Sequence, residues 1–103
     1  MSITLITGAS RGVGEALAWK LASEGHTVAA LARSENKLQE LAGRAQAEEL
    51  PGTIIACPVD LRDPAVVSEC VNSLEEKGPI EVLINNAAVV QNIPFAEQSL
   101  ERL

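Results

Sequence analysis

Gly8, Gly12 and Gly14 crowd the stretch TGASRGVG at 7–14, with Arg11 among them, directly after the apolar run ITLI. Ordered glycine costs conformational entropy, so such a cluster implies a backbone that something must approach closely. Between a strand and a helix, the turn offers unpaired helix N–H groups and the positive end of the helix dipole, which suits a pyrophosphate. Gly8 allows the tight turn, Gly12 lets a phosphate reach the main chain, and Gly14 lets the helix pack against the strand. The spacing GxxxGxG differs from both the GxGxxG dinucleotide fingerprint and the GxxxxGK[ST] phosphate loop. On its own it also fits one turn glycine followed by two packing glycines.

About twenty positions beyond such a turn, a carboxylate receives a ribose 2′-hydroxyl, whereas arginine suits a 2′-phosphate. This chain has Ala32-Arg33-Ser34 there and no carboxylate. Guanidinium grips phosphate bidentately, so Arg33 and Arg11 together favour NADP(H) over NAD(H); either arginine also fits a solvated surface role.

Strands and helices must hold these residues in place. Residues 3–7 and 27–32 read as short buried strands, and Val13, Leu17 and Leu21, with Ala16 beside them, stripe the intervening helix up to Gly25. Ser34 caps a second helix striped by Leu38, Leu41, Ala42 and Ala45, running to Leu50 before Pro51-Gly52 breaks it. A third strand spans 53–59, with Pro58 marking a strand end or sheet edge. Asp63-Pro64 opens a third helix carrying Val67, Cys70, Val71 and Leu74, and a fourth strand spans 81–85. SLERL at the end reads as the first turn of a fourth helix.

The expected fold is therefore α/β: a Rossmann-like, doubly wound parallel sheet in the order β-α-β-α-β-α-β, with strands arranged 3-2-1-4 and helices alternating between its faces. Strand four is expected at an edge, yet Val82-Leu83-Ile84 is apolar on both faces, as in an interior strand. The domain is expected to be incomplete: residues 1–103 as the N-terminal portion of one dinucleotide-binding domain, cut where the fourth helix begins.

Size and charge narrow the function. The 103 residues allow one modest core, and 47% hydrophobic content is that of a globular protein. Eight basic residues against fourteen acidic ones give a net charge of −6, which argues against nucleic acid or an anionic membrane as partner. No export leader is evident, so a cytoplasmic location is expected. Cys57 and Cys70 fit no disulfide framework and read as small buried side chains in a reducing compartment. His26 stands alone in sequence, so no metal site is expected.

Taken together, TGASRGVG at 7–14, Asp60-Leu61 after the third strand and NNAA at 85–88 after the fourth resemble the short-chain dehydrogenases/reductases over essentially the whole chain. The resemblance implies cofactor contacts from Gly8, Ser10, Arg11, Gly12, Val13 and Gly14. It implies Arg33 and Ser34 at the 2′-phosphate, Asp60 and Leu61 at the adenine, and Asn86, Ala87 and Ala88 along the ribose. Asn85 is expected to tie the fourth strand to its neighbour. Ala88 departs from the family's usual glycine.

The implied chemistry is hydride transfer between nicotinamide and a carbonyl or alcohol substrate of a full-length parent, whose oligomeric state is open. The family's catalytic acid is a tyrosine, and this chain has none. No catalytic residue is assigned, and the chain alone is expected to be inactive. Two alternatives stay open: a non-catalytic dinucleotide-binding or interaction module, and a methyltransferase-type fold for S-adenosylmethionine, which Ala32-Arg33 disfavours.

Overall fold

The computed structural model describes residues 2–10 and 12–86. The expectations for Arg11, Ala87, Ala88 and the fourth helix lie outside them. The elements are β1 (Ile3–Thr7), α1 (Gly12–Ser23), β2 (Thr27–Ala32), α2 (Glu35–Ala47), β3 (Thr53–Pro58), α3 (Pro64–Glu75) and β4 (Ile80–Asn85). All strands pair in parallel, in the expected order β3-β2-β1-β4.

Strand alternation divides the apolar side chains into two cores. Ile3 and Leu5 of β1, Ala29 and Leu31 of β2, and Cys57 of β3 meet Val67, Val71 and Leu74 of α3 on one face. Ile6, Val28, Ala30 and Ile54 meet Ala18 and Ala22 of α1 and Leu38 and Leu41 of α2 on the other. The helices therefore do not alternate strictly, as the sequence had suggested: α1 and α2 share a face and α3 has the opposite one. The handedness of the crossovers explains this. Moving outward from β1 to β2 to β3 keeps both helices on one side, and the return to β4 puts the third helix on the other.

Helix α1 also corrects an expectation. Its buried stripe is Gly14, Ala18 and Ala22, one residue out of register with the expected Val13, Leu17 and Leu21. Small side chains let the helix lie close to the sheet. Leu17 and Leu21 then flank the contact, and Val13 is 73% exposed. Arg44 of α2 lies over the Trp19 ring of α1 at 5.3 Å from its centroid, a cation–π contact across the two helices.

Helix α2 carries its expected stripe but ends at Ala47, because Glu49 turns left-handed at φ 53° and Leu50 N–H donates back to the Ala45 carbonyl. Pro58 closes β3, at the sheet's outer edge. Strand β4 is less buried than its composition suggested: Leu83 and Ile84 are half-buried and Val82 is 47% exposed.

Cys57 and Cys70, far apart in sequence, meet on the α3 face as free thiols. Their hydrogen bond, with burial, pushes the Cys57 thiol up. Among the described residues no helix is long and apolar enough to cross a membrane.

Helix α3 starts where Asp63 accepts hydrogen bonds from Ala65 N–H at 3.2 Å and Val66 N–H at 3.4 Å. Losing that cap is expected to cost about 1 kcal/mol. Urea unfolding of Asp63→Ala followed by circular dichroism checks this, with the wild-type midpoint as reference.

Candidate functional site

In a parallel sheet, ligands gather beyond the carboxyl ends of the strands, at the point where strand order reverses. Here that point lies between β1 and β4, and four strand ends bring Gly8, Arg33, Asp60 and Asn86 to one edge of the sheet. Thr7 anchors it. Its buried hydroxyl donates to Asn85 Oδ1 at 3.3 Å and accepts from Asn86 N–H at 3.0 Å. Asn85 thus ties β4 to β1, the role its position suggested.

The glycine turn follows at once. Gly8 and Gly12 take φ of 67° and 63°, conformations that L side chains rarely adopt. Gly8 N–H donates to the Leu31 carbonyl at 2.8 Å, which fixes the turn to the end of β2. Asn86 Nδ2 donates to the Gly8 carbonyl at 3.4 Å. Gly14 closes this cluster from the first turn of α1: a Cβ there would overlap the Gly8 carbonyl and come within 2.7 Å of Asn86 Nδ2. Gly14 therefore packs against the turn and Asn86, a more specific contact than the helix–strand packing expected of it. Above Gly12, by contrast, an added Cβ would meet nothing within 4 Å. That opening at a helix N-terminus is where an anion can reach the main chain.

Ser10 and Val13 flank the turn. Val13 is exposed, and Ser10 lines a cavity of about 220 Å³ with Glu15, Lys37, Glu40, Leu41 and Arg44. A larger groove of about 490 Å³ lies away from the turn, beside α2 and the start of β3.

At the end of β2, Arg33 is exposed, and no hydrogen bond or ion pair among the described residues engages its guanidinium. Ser34 Oγ accepts from Lys37 N–H at 3.4 Å as the cap of α2, and its own O–H stays available to donate. The next strand end is tied in by Val59 N–H, which donates to the Ala32 carbonyl at 2.8 Å. Leu61, chosen with Asp60, sends its side chain into the α3-side core.

Asp60 is held by a neighbour the sequence reading did not single out. Arg62 donates to it from Nε at 3.1 Å, from Nη2 at 3.0 Å and from its backbone N–H at 2.9 Å. Those hydrogen bonds lower the Asp60 pKa from an ordinary 3.8 to about 2. Arg62 had a visible signal, its place two residues after a carboxylate at a strand end. Thr7 had one too, as a hydroxyl at the last position of the strand, next to the glycine turn.

The short chain dehydrogenase pattern matches residues 2–103. The chain belongs to the short chain dehydrogenase family. Ketoacyl reductase HetN of Nostoc sp. is 40% identical over 100 residues, covering 96% of this chain and 34% of that protein. The 2,3-dihydro-2,3-dihydroxybenzoate dehydrogenase of Bacillus subtilis is 40% identical over 90 residues, covering 86% and 34%. Among solved structures, L-sorbose reductase of Gluconobacter frateurii, complexed with NADPH and L-sorbose, superposes with a TM-score of 0.74 at 33% identity. That match covers 84% of this chain and 33% of the reductase. This short chain dehydrogenase chain thus spans about a third of the length of these three relatives.

Two measurements probe the site's supports. Thr7→Val keeps the shape but leaves the Asn86 N–H without its partner, and is expected to cost about 1–3 kcal/mol by urea unfolding. Thr7→Ser, which keeps the hydroxyl bonds, should lose less. Because the folded-state pKa of Asp60 is depressed, its pairing stabilises the fold above the ordinary carboxylate value and is lost as pH falls through about 2. Carbon-13 titration of its carboxyl should give a midpoint near 2, well below the ordinary aspartate value of 3.8.

Proposed function

We propose that this chain binds NADP(H) and forms the cofactor-holding part of an oxidoreductase that moves hydride between nicotinamide and a carbonyl or alcohol. The observation that carries this reading is the exposed Arg33 guanidinium, held by no hydrogen bond or ion pair among the described residues, at the end of β2, a strand end with no carboxylate of its own to receive a ribose hydroxyl. The opening over Gly12 and the cap-bound Ser34, with its free O–H, fit the same ligand.

In this assignment the turn residues Gly8, Ser10, Arg11, Gly12, Val13 and Gly14 surround the pyrophosphate. Arg33 and Ser34 hold the 2′-phosphate, Asp60 accepts from the adenine amine, and Leu61 meets the ring through its main chain. Asn86, Ala87 and Ala88 line the ribose. Bound nicotinamide supplies or accepts the hydride; these residues orient it by gripping the adenosine half. NADPH in the L-sorbose reductase complex supports the cofactor class. The share of the relatives that the chain covers supports reading residues 1–103 as the N-terminal portion of one dinucleotide-binding domain. Two free thiols in contact suit a reducing compartment such as the cytoplasm.

A second reading rests on the absence of tyrosine from the sequence. On that reading the chain binds dinucleotide without catalysing its chemistry. Carbonyl reduction with NADPH by a full-length protein that carries these residues, against binding alone, separates the two.

The cofactor assignment is tested by titrating the protein with NADPH and NADH. NADPH is expected to bind more tightly, and Arg33→Asp is expected to shift the affinity ratio toward NADH by about tenfold or more. A ratio unchanged by that substitution removes Arg33 from its assigned role.

A further inference from the structure

We propose that Arg62 sets the preference for a 2′-phosphorylated dinucleotide, by neutralising Asp60 and so leaving Arg33 to the phosphate. The proposal rests on the NADP(H) reading and assigns a positioning residue within it. Val59 N–H bonds the Ala32 carbonyl at 2.8 Å, so the next residue of each chain segment, Arg33 on one and Asp60 on the other, leaves the sheet side by side. The charge of Arg33 already acts on the Asp60 carboxylate.

A bare carboxylate at this place does two kinds of harm. It draws the Arg33 guanidinium to itself, and it repels a phosphate monoester that carries about −1.5 to −2 charge at neutral pH. The structure shows how both are avoided. The Arg62 fork spans the two carboxylate oxygens, at 3.1 Å from Nε to Oδ1 and 3.0 Å from Nη2 to Oδ2. Its backbone N–H, at 2.9 Å from Oδ1, locks the loop that presents the fork. Two residues of separation make the pairing local, so little chain entropy opposes it. Asp60 keeps an open lone pair for the adenine amine, since a carboxylate accepts at about four sites and three are in use here.

The arrangement makes cofactor preference depend on a residue that need not touch the 2′-phosphate. The readout is therefore the ratio of NADPH to NADH affinity, in which any shared loss at the adenine or in stability cancels. Dissociation constants are measured by titration calorimetry at low ionic strength for the wild type, Arg62→Ala, Arg62→Lys and the double variant Asp60→Asn/Arg62→Ala, with folding confirmed by circular dichroism. Arg62→Ala is expected to lower the ratio by about fivefold, the scale of one exposed charge pair. Arg62→Lys, which keeps the charge, is expected to lose less. The double variant, which removes the carboxylate as well, is expected to restore the wild-type ratio.

If Arg62→Ala weakens both cofactors equally, Arg62 only braces the loop and the proposal fails. It fails too if the double variant does not recover. A wild type with no preference for NADPH overturns the NADP(H) reading itself and this proposal with it. A wild type that prefers NADPH, with an unmoved ratio in Arg62→Ala, overturns only the role given to Arg62.

Discussion

The hydroxyl of Thr7 stands where the chain changes direction across its own sheet. After moving outward through β2 and β3, the backbone returns to the other side of β1, and the bonds from Thr7 to Asn85 and to Asn86 N–H secure that return. The glycine turn, Asn86 and the first turn of α1 hang from this junction. Asn86 sits close enough to bond the Gly8 carbonyl, and Gly8 must take positive φ to present it. Gly14 then fits against both with no room for a methyl group. The first turn of α1 is thus set by β1 and β4 together.

The strand order, both helix caps and the gathering of glycine turn, Arg33, Asp60 and Asn86 on one edge were legible because each rests on a local rule. Capping residues and apolar runs of strand length are written within a few residues, and the strand order follows from the doubly wound pattern they form; the side each helix takes does not, because it depends on the handedness of the whole crossover. What escaped was set by neighbours far away in sequence. The stripe of α1 looked like Val13, Leu17 and Leu21 because large apolar residues dominate a periodicity count. The sheet selected Gly14, Ala18 and Ala22, since closeness of approach outweighs the size of any one side chain there. Cys57 and Cys70 likewise carried no spacing signal, and only the docking of α3 on β3 brings them together.

The chain's acidity sharpens the demands on the site. A net charge of −6 gives an anionic ligand no general attraction, so affinity must come from donors held at short range. Even the first turn of α1 carries Glu15, which complements the helix dipole and repels the same ligand. Backbone N–H groups above Gly12 escape this conflict because they bring partial charge without a counter-ion. Arg33 escapes it only while Asp60 is satisfied elsewhere. An acidic protein can therefore hold an anion if some of its few cations neutralise its own carboxylates, which is the role proposed for Arg62 in its ion pair with Asp60. On the proposed reading, preference for one dinucleotide over another belongs to the whole charge set at the strand ends, not to Arg33 alone.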